Sequence, residues 1–152
     1  MSTIYDRDLA QDPANHVALS PLSFLARTAD VYPDRVAVVH GDRRFTWAET
    51  GARSRRLAGA LAARGIGRGD TVAVLSPNTP AMFEAHFGIP LAGAVLNAIN
   101  TRLDAPSVAF ILDHGEARVL VVDAELWPIA RDALSRSRVQ PAVVLVRDPA
   151  VA

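Results

Sequence analysis

Four histidines, sixteen basic side chains and one glycine-rich run are the features of this sequence that could do chemistry. The histidines are His16, His40, His86 and His114. None stands four residues from another, and no His-Glu-x-x-His pattern or nearby carboxylate pair completes a metal set. His86 lies in an apolar stripe with Phe83 and Phe87, where a packed histidine is expected. His114 closes a short helix, where positive charge suits the negative end of the dipole. No Gly-x-Ser-x-Gly pattern or serine with a local histidine partner points to a hydrolase.

The run Gly65-Ile66-Gly67-Arg68-Gly69-Asp70 has the glycines a phosphate loop needs but in the wrong context. A dinucleotide loop follows a strand and opens a helix, so that the helix N-terminus meets the phosphates. Here a helix comes first and a strand follows, which predicts a helix stop and a turn. The Arg68-Gly69-Asp70 tripeptide leads straight into an apolar strand and reads as coincidence. Arg53, Arg55, Arg56 and Arg64 share one helix, but no aromatic residues interleave for base stacking. A solvated face is the expectation, with no nucleic-acid partner.

Composition narrows the classes further. All sixteen basic side chains are arginine, because the sequence holds no lysine, and they balance sixteen acidic residues. A lysine-dependent phosphate loop is therefore excluded, and charge alone attracts neither nucleic acid nor membrane. With no cysteine, disulfides, thiolate metal sites and a cysteine nucleophile are excluded. Half of the residues are apolar and 21% are charged, the balance of a globular chain. Residues 1–12 lack the basic start and apolar core of a signal peptide. No apolar run reaches the length of a membrane span. A cytoplasmic location follows, and the all-arginine, alanine-rich usage suggests a GC-rich bacterial genome.

The elements that would position a site alternate along the chain. Residues 1–20 read as an extended arm. Ser20-Pro21 opens a helix that ends near Tyr32-Pro33. Strands over 35–40 and 43–47 flank Gly41-Asp42 as a hairpin. Thr46 and Glu49 fit a capping box, opening a helix to Arg64 with Leu57, Ala60 and Leu61 inward. Strands follow at 71–76, 94–99, 119–123 and 142–146. Between them lie helices capped at Thr79-Pro80, over 107–113 and over 125–137. Apolar strands alternating with amphipathic helices predict an α/β fold: a largely parallel sheet flanked by helices, with an N-terminal β-hairpin.

Met82, Phe83, Phe87, Ile89 and Leu91 could line an acyl pocket, although a helical apolar stripe is first of all core. Pro90 is expected to end or kink that helix. Asn97, Asn100, Thr101 and Arg102 follow a short strand. Ligand crevices of open parallel sheets lie beyond the strands' carboxyl ends, so these four are the site-proximal candidates, though a turn uses the same residues.

Several spaced motifs resemble the adenylate-forming ligases. Phe45-Thr46-Trp47-Ala48-Glu49-Thr50, then Leu57-Ala58 through Gly69-Asp70-Thr71-Val72-Ala73, is similar to the first core motif of that family. Ser76-Pro77-Asn78-Thr79-Pro80, followed by Leu91-Ala92-Gly93-Ala94-Val95-Leu96-Asn97, is similar to the second. The likeness runs from about Pro21 to Val146. Segments 15–22, 84–88 and 97–103 resemble the clade of short- and medium-chain acyl-CoA ligases that includes methylmercaptopropionate-CoA ligase.

The resemblance implies an AMP-forming acyl-CoA synthetase. A short- or medium-chain carboxylate would attack the α-phosphate of ATP, and coenzyme A would then displace AMP, with Mg²⁺ offsetting phosphate charge. It also implies that residues 21–152 are the first part of the AMP-binding domain, truncated before the phosphate loop. The family's phosphate loop, ribose-binding aspartate and lid lysine would lie beyond residue 152. No catalytic or metal-binding residue is therefore carried over, and ATP, Mg²⁺ and coenzyme A are expected to serve the full-length parent rather than this piece. An exposed sheet edge, poor solubility alone and no membrane partner are further expectations, and a homo-oligomer stays open. The alternative is a stand-alone, non-catalytic α/β module that binds a nucleotide or a partner chain.

Overall fold

In the computed structural model, residues 12, 14, 16, 17 and 19–148 are described. The arm read over residues 1–20 lies largely outside them. Helix α1 (Pro21–Val31) starts where Ser20 Oγ accepts the Leu22 N–H, with proline at the first turn. Strands β1 (Val36–His40) and β2 (Arg43–Thr46) form a separate antiparallel hairpin with an irregularity between Val36 and Val38.

Helix α2 (Trp47–Ala62) opens with the expected capping box. Thr46 Oγ1 accepts the Glu49 N–H at 3.2 Å, and the Glu49 carboxylate accepts the Thr46 N–H at 2.8 Å. The helix stops two residues before Arg64. Gly65 takes a φ of +71°, and the Ile66 N–H returns to the Leu61 carbonyl. Its inner face differs from expectation. Leu61 is buried but Ala60 is exposed, and Thr50, Gly51 and Ser54 are buried instead. Small residues let neighbouring helices approach: a Cβ on Gly51 would stand 3.3 Å from Ala29 Cβ of α1.

The main sheet is parallel, with strands β3 (Thr71–Leu75), β4 (Val95–Ala98), β5 (Ala117–Asp123) and β6 (Ala142–Val146) in the order β4-β3-β5-β6. Between them run α3 (Pro80–Leu91), α4 (Ala105–His114) and α5 (Trp127–Arg136), the last preceded by a short 3₁₀ turn over Ala124–Leu126. The helix expected over 125–137 is thus split in two. Helix α3 carries Pro90 in its last turn and runs one residue past it. A proline there disturbs little, since few turns follow it.

Alternation of side chains in β3 and β5 separates two apolar cores. Ala73, Leu75, Leu120 and Val122 face α4 and α5, whereas Val72, Val74 and Val119 face α2 and α3 with Leu61, Met82 and Ile89. The outcome is a wholly parallel sheet with helices covering both faces of its central strands. Strand β6 is the exception: its apolar residues Val143, Val144 and Leu145 are exposed. Among the described residues, no helix is long and apolar enough to cross a membrane.

Candidate functional site

The crossovers from β3 and β5 leave the sheet on opposite faces, α3 on one and α5 on the other. Because β3 and β5 are neighbours, their carboxyl ends part at a topological switch point, the place where open parallel sheets collect ligands. Leu75 pairs with Val122 in register, so Ser76 and Asp123 come next to one another at that edge. Both are buried.

A cleft of about 430 Å³ opens beside Ser76 at the ends of β3 and β4. Ser76, Pro77 and Asn78 form one wall, Ala98 to Thr101 the other, and Met82 the floor. Ser76 Oγ donates to the Pro77 carbonyl at 3.1 Å and lies 3.3 Å from Thr79 Oγ1. Thr79 stands at the N-cap of α3 without making the side-chain cap its type and position predicted. A second groove, about 370 Å³, lies between β1 and α3 and shares Asn78 and Met82 with the first. His40 and His86 line it. The His86 Nδ1–H donates to the Met82 carbonyl at 2.8 Å, and the residue is exposed rather than packed.

The four candidates from the sequence divide. Asn100 and Thr101 line the cleft. Asn100 also builds the turn itself, its Oδ1 accepting the Arg102 N–H at 3.0 Å. Arg102 is exposed and lines neither opening. Asn97 points elsewhere: its amide nitrogen is 2.9 Å from where a Cβ on Gly115 would stand, at the end of α4. Asp104 then caps α4, and hydrogen bonds from Ser107 hold its carboxyl below the usual carboxylate range.

Of the apolar stripe on α3, Met82 lines both openings and Phe83 the groove, where it meets Phe87 edge-to-face at 5.3 Å. Ile89 is core and Leu91 is exposed. Ser76 and Asp123 were not singled out from the sequence. The available signal was a polar residue ending an apolar run, Leu75-Ser76 and Val122-Asp123, which is visible but common.

Arg53, Arg64 and the glycine-rich run are engaged structurally. Arg53 pairs with Glu84 and lies 4.9 Å from the Phe45 ring centre, while Arg64 caps its own helix on the Ala60 carbonyl. Asp70 accepts the Gly67 N–H and pairs with Arg118 at 2.8 Å, and these two partners, Arg118 first, lower its pKa. Among the described residues, no group of three histidine, aspartate or glutamate side chains could hold a metal ion.

The profile of a family described as AMP-binding enzyme matches residues 25–152. Similar proteins include the peroxisomal acetate/butyrate–CoA ligase AAE7 of Arabidopsis thaliana, 56% identical over 127 residues, covering 84% of this chain and 22% of that protein. The acetate–CoA ligase CCL3 of Humulus lupulus is 46% identical, covering 91% of this chain and 26% of its own length. Among solved structures, the N-terminal domain of FACL13 from Mycobacterium tuberculosis superposes with a TM-score of 0.75 at 35% identity, covering 82% of this chain and 33% of that domain. The chain thus spans about a quarter of the length of these curated relatives.

Proposed function

This chain belongs to the AMP-binding enzyme family, and from that premise we propose that it is the first part of an ATP-dependent, AMP-forming ligase joining short- or medium-chain carboxylic acids to coenzyme A. The observation that carries the proposal is the 56% identity to an acetate/butyrate–CoA ligase across 84% of the chain. At that level a shared reaction class is the simplest account, although fold alone would not imply function. On this proposal ATP, Mg²⁺ and coenzyme A serve the full-length ligase, and its other segments carry the phosphate chemistry.

What this segment supplies is scaffold and a cleft at the carboxyl ends of β3 and β4. Asn100 and Thr101, with Ser76 and Asn78 opposite, are the site-proximal residues on this proposal. Arg102 and Asn97 support the turn and the sheet beside it. The arginine- and alanine-rich usage favours a bacterial source, whereas AAE7 is a plant protein described as peroxisomal.

The test is to recover the native polypeptide from its source cells through a peptide within 71–102, weigh it, and assay ATP–pyrophosphate exchange with acetate, butyrate, hexanoate and octanoate. The expected result is a species several times heavier than 152 residues that exchanges with one or more of these acids. A species of the chain's own mass, without exchange, would overturn the proposal.

A further inference from the structure

His40 and Arg43 face each other in register as the last pair of the hairpin, on either side of the Gly41-Asp42 turn. Both reach the same carboxylate. The His40 Nε2–H donates to Asp148 Oδ2 at 2.5 Å, and Arg43 Nη1 stands 3.8 Å from Asp148 Oδ1. Asp148 lies just past β6, 108 residues from His40 along the chain. Its side chain is only 6% exposed. A carboxylate withdrawn from water needs charge-assisted partners, and a contact shielded in this way is little screened by salt.

The hairpin needs such a hold. Two-stranded hairpins are marginal on their own, and this one shares no strand pairing with the main sheet. Val36 and Val39 are exposed, so apolar burial gives little anchorage there. Toward its base, Arg53 of α2 lies against the Phe45 ring and pairs with Glu84 of α3. At the turn end the hold falls to Asp148. Strand β1 also supplies Val38, Val39 and His40 to the groove that faces α3.

We propose that His40, Arg43 and Asp148 form a latch between the hairpin and the carboxyl end of β6, and that this latch fixes the β1 wall of the groove against α3. When it is released, the turn end of the hairpin shifts while the base stays pinned by Arg53. The groove shares Asn78 and Met82 with the cleft, so the hairpin is the movable wall of the opening beside the candidate site. The latch goes beyond the ligase proposal and does not rest on it.

The test uses the 152-residue chain. Amide hydrogen exchange over β1 and β2 is compared in the parent, His40→Ala, Asp148→Asn and the double variant, with β3 and β5 as the internal reference. Each single change is expected to speed exchange in the hairpin about tenfold or more, the usual weight of a hydrogen bond to a charged group, while β3 and β5 keep their protection. The double variant should match Asp148→Asn, since both changes remove one shared contact. Because the sequence has no cysteine, spin labels can be placed at Val39→Cys and Leu91→Cys, both exposed positions, to read the distance between the hairpin and α3. The otherwise unchanged chain should give one narrow distance distribution, and Asp148→Asn a broader one. Unchanged hairpin exchange in Asp148→Asn, single effects that multiply in the double variant, or a label distance that does not broaden would each overturn the latch. Loss of protection in β3 and β5 would overturn it too, because the contact would then belong to the global fold rather than to a separate hold on the hairpin.

Discussion

Gly88 offers the sharpest test of how α2 and α3 fit together. A Cβ added at Gly88 would stand 2.7 Å from Leu57 Cδ2 and 2.9 Å from both Leu57 Cγ and Cβ. Carbon atoms pack best at about 3.5–4.0 Å, so each contact is short by roughly 0.6 Å or more. The Leu57 methyl can swing aside, but its Cβ is fixed to the α2 backbone, so the helices must part. Overpacking of this kind costs about 1–3 kcal/mol. Alanine returns up to about 1 kcal/mol of helix propensity. The net expectation for Gly88→Ala is a loss of about 1–2 kcal/mol. With a urea m-value of about 1–3 kcal/mol/M, that loss lowers the midpoint by roughly 0.3–2 M.

The assay is urea unfolding followed by circular dichroism at low micromolar concentration. Gly59 is the internal control, since it lies exposed on α2 and a Cβ there meets nothing within 4 Å. Gly59→Ala should stabilise by about 0.5–1 kcal/mol through propensity alone. In a Leu57→Ala background, Gly88→Ala should cost at least about 0.5 kcal/mol less, because two of the three close contacts are gone. A Gly88→Ala midpoint at or above the parent's would refute the packing argument, as would an unchanged cost in the Leu57→Ala background.

Four other outcomes follow. Glu116, just after α4, holds a φ of +47°, which favours glycine, so Glu116→Gly should raise stability by about 1 kcal/mol in the same assay. Its neighbour Gly115 should resist the opposite change, because a Cβ there would stand 2.9 Å from the Asn97 amide and 3.2 Å from the Ile111 carbonyl. Asp113 accepts from the Ser137 hydroxyl and from the Val139 and Arg138 N–H groups, which lower its pKa from 3.8 to about 2. The stability it lends is fully present above about pH 4 and lost as pH falls through 2, so acid unfolding of Asp113→Asn should show a shallower pH dependence in that window. A parent and variant with parallel acid curves would contradict it. Lastly, the 152-residue chain alone should show no ATP–pyrophosphate exchange with short acids, and exchange above a protein-free control would place a nucleotide site within it.

Much of the architecture was legible because it depends on neighbours in the chain. A hydroxyl and a carboxylate three residues apart, Thr46 and Glu49, can satisfy each other's backbone donors whatever the rest does. Gly65 ends α2 through its own φ. Apolar runs alternating with amphipathic stretches imply crossovers, and crossovers imply a parallel sheet. The cleft at the carboxyl ends was likewise expected in kind, and Asn100 and Thr101 fall in it.

Tertiary structure decided what depends on strand order and on approach between distant segments. Local pattern does not say that β3 lies between β4 and β5, yet that order puts the switch point between Ser76 and Asp123. It also turns Asn97 away from the cleft toward Gly115, since successive residues of a strand point to opposite faces. Glycine at 115 rather than 116 runs against the local rule for helix ends, because Asn97 and Ile111 crowd the first position while only φ is strained at the second. Asp123 looks in sequence like any strand-ending aspartate. Burial between neighbouring strand ends is what leaves one of its oxygens without a donor, and burial is a property of the packed sheet, not of the residue.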